Sequence, residues 1–265
     1  MAHPLQAWRL THEPYYQPTG DELPLAEAAC AQRLPLLLKG PTGCGKTRFV
    51  EHLAWRLDRP LVTVACHEDL SASDLVGRWL LDAEGTRWQD GPLTLAARHG
   101  GLCYLDELVE ARPDTTVVMH ALTDTRRMLP LAQRNELVTA HPDFRLLVSY
   151  NPGPTARELK PSTRQRFCAL AFGYPAPEAE AGIVAHESGL DLARSAALVA
   201  FGLRTRRLQG QGLDDGASTR MLVHAALLVM QGVALATACR VAVADALSDE
   251  PAVLEALHAA LDAAF

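Results

Sequence analysis

The segment GPTGCGKT, residues 40–47, constrains the fold of this chain more than any other feature. It follows an apolar run, Leu34 to Leu38, that predicts a buried strand, and it precedes a helical pattern from Lys46 to Leu57. A glycine-rich turn between a strand and a helix lets consecutive backbone N–H groups surround phosphate oxygens, and the helix dipole adds positive potential. The residue frequencies of this chain make a chance match about one in a thousand. The segment therefore predicts a phosphate-binding loop.

Each position of this loop has an expected role in binding a nucleoside triphosphate. Lys46 is expected to reach the β- and γ-phosphates from a position outside the core, and Thr47 is expected to bind Mg²⁺. The rest of the loop is expected to supply its backbone to the phosphates, at Gly40, Pro41, Thr42, Gly43, Cys44 and Gly45.

A second signal is the segment GLCYLDE, Gly101 to Glu107, an apolar strand that ends in two carboxylates. Asp106 is expected to hold Mg²⁺ through water, and Glu107 is placed to polarise the attacking water as a general base. A solvated acidic turn would give the same pattern. The position after a phosphate loop, with a strand and a helix between them, favours the catalytic interpretation.

Three further polar positions are candidates for the same site. Asn151 directly follows an apolar strand, where an amide can orient water, although an Asn before Pro and Gly is also typical of a turn. Arg164 and Arg166 follow in KPSTRQRF; either could neutralise transition-state charge on the nucleotide of a neighbouring subunit, or both could belong to a solvated basic turn. Arg220, in GASTR, opens a helix against its dipole, which suggests a phosphate partner; an exposed Arg of little cost is the alternative.

The alternation of elements predicts an α/β fold with a parallel sheet between helices. Further buried strands are expected at residues 61–65, 101–105, 144–150 and 167–172, and hairpins at 78–89, with its turn at Glu84–Gly85, and at 128–140. After GYPAPE, residues 173–178, the pattern becomes helical throughout. The expected domains are an α/β nucleotide-binding domain at 1–174 and a small all-helical domain at 175–265. Within the latter, the apolar stretch 225–239 is expected to form one buried helix, about 15 residues long and too short to span a bilayer.

Composition excludes several classes of protein. A net charge of −6 and a pI near 5.9 argue against attachment to nucleic acid. The six cysteines show no zinc-like spacing, and a reducing cytosol fits them. The first residues hold no apolar core of a signal peptide, so the sequence predicts a cytoplasmic protein without membrane insertion.

Together these motifs resemble those of an AAA+ ATPase. The resemblance covers Walker A (40–47), Walker B (101–107), sensor 1 (Asn151), the arginine finger (Arg164 or Arg166) and sensor 2 (Arg220). It implies that the helical tail is a lid, that ATP and Mg²⁺ are the ligands, and that the two hairpins are those of the MoxR branch. Relatives in that branch place the finger in an Arg-Phe pair, which favours Arg166 and leaves Arg164 as a second candidate.

Longer strings are similar to the CbbQ/NirQ/NorQ family: LLLKGPTGCGKTRFVEHLAWRL, TVACHEDLSASDLVGRWLL and LKPSTRQRF. This resemblance implies a homo-hexameric ring that works with a von Willebrand factor A domain protein of the CbbO or NorD type. The implied client is Rubisco, freed of inhibitory sugar phosphates, or nitric oxide reductase. The shared motifs do not separate the two clients, and the Rubisco branch is the preferred one. A nucleotide-switched assembly factor with little turnover is a further alternative, which a general base at Glu107 disfavours.

Overall fold

The structure is a computed structural model that describes residues 4–83, 85–152, 159–210, 213 and 215–264. It forms two compact units. One consists of Met1–Gly40 and Lys46–Phe172, and the other of Pro41–Gly45 and Gly173–Phe265. The phosphate-loop residues 41–45 therefore group with the helical part of the chain. A domain boundary between residues 174 and 175 stays a prediction.

The strands and helices lie close to where the sequence predicts them. The strands are β1 (Leu36–Lys39), β2 (Leu61–Ala65), β3 (Gly77–Asp82), β4 (Gly85–Asp90), β5 (Leu102–Asp106), β6 (Met128–Leu131), β7 (Glu136–Thr139), β8 (Arg145–Tyr150) and β9 (Cys168–Ala171). The α-helices of the first unit are α1 (Glu22–Ala31), α2 (Lys46–Arg56), α3 (Ala72–Val76), α4 (Pro92–His99), α5 (Pro113–Thr123) and α6 (Pro161–Arg164). Those of the second are α7 (Pro177–Ser188), α8 (Leu192–Arg207), α9 (Thr219–Met230), α10 (Leu235–Cys239), α11 (Asp245–Leu247) and α12 (Pro251–Asp262), with a π-helical turn at Arg240–Ala244.

Five strands form a parallel sheet in the order β2-β5-β8-β1-β9, which confirms the predicted α/β class. The central strands β5 and β8 are almost wholly buried, as apolar runs covered on both faces should be. Lys39 at the end of β1 pairs with Tyr150 at the end of β8. The carboxyl ends of β1, β5 and β8 therefore meet at one edge, where α/β sheets bind ligands.

Both predicted hairpins are present, as β3–β4 and β6–β7. Gly85 opens β4, and Glu84, the other residue of the predicted turn, lies outside the described residues. Arg98 on α4 joins the two hairpins, since it forms ion pairs with Asp90 (2.8 Å) and Glu136 (2.6 Å). Trp88 packs on the core of the first unit, whereas the side chain of Leu81 is 83% exposed.

The helical unit has its own core, which includes Leu198, Phe201 and Leu222. The prediction of one helix across residues 225–239 is wrong. Helix α9 ends at Met230, and α10 begins only at Leu235. Gly232 between them has a φ of +89°, a left-handed conformation that no helix continues through and that glycine adopts without strain.

Among the described residues, no helix is both long and apolar enough to cross a membrane. The cysteines carry free thiols, and only Cys168 of the six is exposed.

Candidate functional site

Lys46, at the start of α2, is buried, although the sequence predicted a position outside the core. Its ammonium group donates to the carbonyl oxygen of Gly40 (2.8 Å) and to Oδ1 of Asn151 (2.7 Å). A buried ammonium is costly unless oxygens replace its water. The turn of the loop supplies the carbonyl and the end of β8 supplies the amide, so the charge is held at the ligand-binding edge of the sheet.

Asp106 ends β5 with its two carboxylate oxygens in different surroundings. Oδ1 accepts hydrogen bonds from the hydroxyls of Tyr104 (2.7 Å) and Ser149. Oδ2 faces the hydroxyl of Thr47 at 3.3 Å, at the long end for a hydrogen bond between two oxygens. Burial, and then the charge of Asp106, raise the pKa of Tyr104, so its phenol remains a donor. Two donors thus fix one oxygen and aim the other at Thr47.

The pair formed by Thr47 and Asp106 fits Mg²⁺. This cation prefers hard oxygen ligands, and in nucleotide sites it takes only one or two from the protein, the rest coming from phosphates and water. The described part of the chain contains no cluster of three or more His, Cys, Asp or Glu side chains that could hold a metal ion. A hydroxyl and a carboxylate beside the phosphate loop are therefore the donor set to consider.

Glu107 has a left-handed backbone, with φ 56° and ψ 46°, which is unusual for a residue other than glycine. Two contacts hold it there. Its N–H donates to the hydroxyl of Ser149 (3.0 Å), and its Oε1 accepts from the amide of Asn151 (3.0 Å). Strain of this kind collects at functional sites, where surrounding contacts overcome it. Asn151 consequently connects Lys46 to Glu107 through its two amide atoms.

Arg164 and Arg166 are exposed, at the end of α6 and just beyond it. Neither forms an ion pair with another described residue, and neither side chain forms a hydrogen bond with Lys46, Asp106, Glu107 or Asn151. The nearby segment is anchored instead by His120, whose Nε2 lies 3.1 Å from the hydroxyl of Thr163. Burial, and then the charge of Arg166, lower the pKa of His120. The role of the two arginines as finger candidates therefore stays a prediction.

Arg220 lies in the first turn of α9, after Ser218, whose hydroxyl caps the helix by accepting from the N–H of Met221. This turn packs on the phosphate loop within the second unit. A Cβ added at Gly43 would lie 2.7 Å from Cβ of Ser218 and 3.4 Å from Cβ of Arg220, and Gly43 has a φ of +68°. Glycine is therefore required at residue 43 both by its backbone and by the helix beside it.

Sequence reasoning missed Ser149 and Tyr104, although a signal was available for each. Ser149 is the one small hydroxyl in the apolar strand β8, two residues before Asn151. Tyr104 precedes Asp106 by two residues on β5, and period-two alternation puts both side chains on one face of the sheet. Both hydroxyls orient the carboxylate end of β5.

Comparison with known proteins identifies the families to which this chain is similar. A family model for AAA domains of the dynein-related subfamily matches residues 35–167, and the CbbQ/NirQ/NorQ C-terminal family matches residues 180–264. Protein CbbQ of Hydrogenophilus thermoluteolus is 58% identical over 255 residues, which cover 96% of both chains. Protein NorQ of Paracoccus denitrificans is 55% identical over 247 residues, which cover 92% of both chains.

A solved structure shares the fold at low sequence similarity. The crystal structure of a putative ATPase from Cytophaga hutchinsonii superposes with a TM-score of 0.53 at 14% identity, over 91% of this chain and 80% of the other. At that identity the match supports the arrangement of strands and helices and nothing finer.

Proposed function

Because this chain belongs to the CbbQ/NirQ/NorQ family of AAA ATPases, we propose that its hydrolysis of ATP drives the activation of a client protein, and that this client is Rubisco. The similarity to CbbQ of Hydrogenophilus thermoluteolus supports the choice of client. In this proposal the chain works with a partner that carries a von Willebrand factor A domain of the CbbO type. The energy of hydrolysis remodels Rubisco so that an inhibitory sugar phosphate is released.

In the proposed mechanism, residues 40–45 enclose the phosphates of ATP with their backbone, and Lys46 contacts the β- and γ-phosphates. Thr47 and Asp106 would hold Mg²⁺, which would supply positive charge to the phosphate oxygens. The paired hydroxyls on Oδ1 of Asp106 support this assignment, since they leave Oδ2 directed at Thr47.

The contact between Glu107 and Asn151 carries the hydrolytic part of the proposal. Glu107 accepts a proton from the attacking water, and Asn151 orients both the carboxylate and that water. Binding alone needs no such base at the end of β5. The left-handed backbone of Glu107, held by Ser149, supports the same role.

The remaining site residues reach the nucleotide from a neighbouring subunit of the proposed homo-hexamer or from the helical lid. Arg166, or Arg164 beside it, reaches the nucleotide of a neighbouring subunit, where its guanidinium matches transition-state charge. Arg220 contacts phosphate from the helical lid, residues 175–265, while residues 1–174 form the nucleotide-binding domain. The exposure of both finger candidates, and the packing of the Arg220 turn on Gly43, support these roles.

A second candidate client is nitric oxide reductase, with a NorD-type partner. The observation that favours it is the similarity to NorQ of Paracoccus denitrificans, only a few per cent in identity below that to CbbQ. The ATPase site would be used identically in the two cases, so the client has to be determined by reconstitution.

The test is reconstitution of the purified chain with its von Willebrand factor A partner and with Rubisco that holds a tightly bound sugar phosphate. Recovery of carboxylation after addition of ATP is measured. Wild type should restore activity, while Lys46→Ala and Glu107→Gln should not. A parallel reaction contains nitric oxide reductase and measures reduction of nitric oxide.

The outcomes separate the hypotheses. Activation of the reductase alone would assign the second client. Full Rubisco activation by Glu107→Gln would indicate a nucleotide switch that needs binding without turnover. If wild type hydrolyses ATP and activates neither client, the proposed function is wrong even though the ATPase assignment stands.

A further inference from the structure

The helical unit contains a buried ion pair that no step of the proposed mechanism uses. Arg206 on α8 donates from Nη1 to Oε2 of Glu180 (2.7 Å) and from Nη2 to Oε1 (2.6 Å). Glu180 on α7 is fully buried, and its Oε1 also accepts from the hydroxyl of Thr219 (2.5 Å). Thr219 is the residue before Arg220, so the network ends beside the predicted phosphate contact.

Arg206 uses the rest of its guanidinium on the same segment. Its Nε donates to the carbonyl oxygen of Ala217 (2.7 Å), and Cζ lies 3.7 Å from the centre of the Tyr174 ring. Gly216 passes so close that an added Cβ would lie 2.5 Å from Cα of Arg206. Arg206 therefore contacts the backbone at residues 216 and 217, and Glu180 holds the side chain of Thr219. The hydroxyl of Thr205 adds a second contact to this segment, since it accepts from the N–H of Ala217 (3.0 Å).

The network also reaches the phosphate loop. The hydroxyl of Tyr174, whose ring lies under Arg206, donates to the carbonyl oxygen of Thr42 (3.2 Å). Burial raises the pKa of Tyr174 to about 12, so the hydroxyl keeps its proton at neutral pH. Gly43, the next residue of the loop, packs on Ser218. Arg206 is thus linked to the phosphate loop through Tyr174, and to the start of α9 through Glu180 and Thr219.

We propose that Arg206, held by Glu180, is a positioning residue that fixes the start of α9 so that Arg220 meets the nucleotide bound by the phosphate loop. Arg206 itself does not touch the nucleotide. This inference rests on the role of Arg220 in the proposed function. A buried ion pair is weak evidence for stability, because apolar groups of similar volume often serve as well. The planar guanidinium group of arginine, by contrast, contacts Glu180, Ala217 and Tyr174 at the same time. The single ammonium group of lysine cannot make all three contacts.

The main experiment measures the affinity for MgATP by calorimetry. Arg206→Lys keeps the charge beside Glu180 but loses the planar guanidinium group, and we expect the Kd to rise roughly tenfold, the effect of one charge-assisted hydrogen bond. Arg207→Lys is the matched control, since Arg207 is the next residue of α8 and is exposed. Its Kd should equal that of wild type.

A double-mutant cycle separates positioning from loss of stability. If Arg206 acts through Arg220, the variant Arg220→Ala should weaken binding, and adding Arg206→Lys should weaken it no further. Additive losses in the double variant would overturn the inference. So would a wild-type Kd for Arg206→Lys when Arg220→Ala alone binds weakly.

A gentler pair of variants keeps the test valid if Arg206→Lys folds poorly. Thr219→Val removes only the hydroxyl donated to Glu180, and Thr219→Ser restores it. We expect a severalfold rise in Kd for the first and a wild-type value for the second, and equal values for the two would contradict the inference. An unchanged Kd for Arg220→Ala would instead remove Arg220 from the proposed function, and the inference would fail with it, whereas loss of binding in Lys46→Ala would still support the phosphate loop.

Discussion

Asp106 in the α/β unit and Glu180 in the helical unit are carboxylates with opposite hydrogen-bond arrangements. Asp106 has one oxygen held by two hydroxyls, and among the described residues its other oxygen has only a long contact with Thr47. Glu180 has both oxygens occupied by close donors, two from Arg206 and one from Thr219. The first carboxylate is oriented and still able to bind a cation. The second is fully buried and bonded at both oxygens.

The two arrangements suit the two carboxylates to different roles. A fully buried carboxylate with close donors on both oxygens is not accessible to a ligand, so it can act only on the protein around it. A carboxylate that is fixed on one side keeps a predefined direction for a cation. Arg166 differs from both carboxylates, because it is exposed and forms no ion pair with any described residue.

The largest effect is expected at Arg166. Arg166→Ala should leave ATP binding near normal and lower kcat on the order of 10³-fold, the general effect of removing an arginine finger. Mixing this variant with Glu107→Gln should restore part of the activity, because some interfaces then join an intact finger to an intact base. ATPase assays on co-assembled mixtures check this. No recovery, while wild-type subunits exchange freely, would transfer the role to Arg164.

A smaller effect, on stability, is expected at the buried carboxylate Glu180. Glu180→Gln removes the charge that pairs with Arg206, and the free energy of unfolding should fall by about 2–3 kcal/mol. The value of kcat at saturating ATP should change little, since Glu180 contacts no reacting group. Chemical denaturation and ATPase assays give both quantities. A large fall in kcat with unaltered stability would contradict the distinction drawn between the two carboxylates.

The substitution Ser149→Ala should lower both the activity and the stability by moderate amounts. Ser149→Ala removes a donor from Asp106 and an acceptor from the N–H of Glu107, so we expect kcat to fall about tenfold and stability to fall by about 1 kcal/mol. Steady-state kinetics and thermal melting measure the two changes. Thr94→Val removes a buried hydroxyl that donates to the carbonyl of Val76, and it is a control for loss of a buried hydroxyl elsewhere in the unit.

The smallest effect is expected for an exposed apolar side chain on the hairpin β3–β4. Leu81 is almost fully exposed, so Leu81→Ala should leave basal ATPase and the melting temperature unchanged and lower client activation about two- to fivefold, as an ordinary interface residue does. Leu137→Ala, which truncates an exposed leucine on β7 of the other hairpin, is the matched control for Leu81→Ala. A lowered melting temperature for Leu81→Ala, with equal loss of both activities, would assign Leu81 to packing.

The sequence sufficed for the strands, the hairpins and the residues at the strand ends, because each leaves a local signal. The phosphate loop, the Asp106–Glu107 pair and Asn151 all follow short apolar runs whose length and composition define buried strands. Ser149 and Tyr104 can also be found from the sequence when the alternation of side chains along each strand is considered.

The rest depended on contacts between distant residues. Glu180 and Arg206 are 26 positions apart on two helices, and each by itself resembles a residue of a solvated face. Lys46 is buried because Asn151, 105 residues later, supplies an oxygen. The break at Gly232 was visible as a glycine, but apolar residues on both sides of it favoured a continuous helix.

The backbone of Glu107 has a consequence for selection. A left-handed residue costs roughly 1 kcal/mol in most side chains and nothing in glycine, so the substitution Glu107→Gly should relieve strain while it removes the proposed base. Stability and activity therefore favour different amino acids at this one position. A library randomised at residue 107 and sorted only for heat resistance should accumulate glycine or asparagine there, whereas one sorted for ATP turnover should return to glutamate.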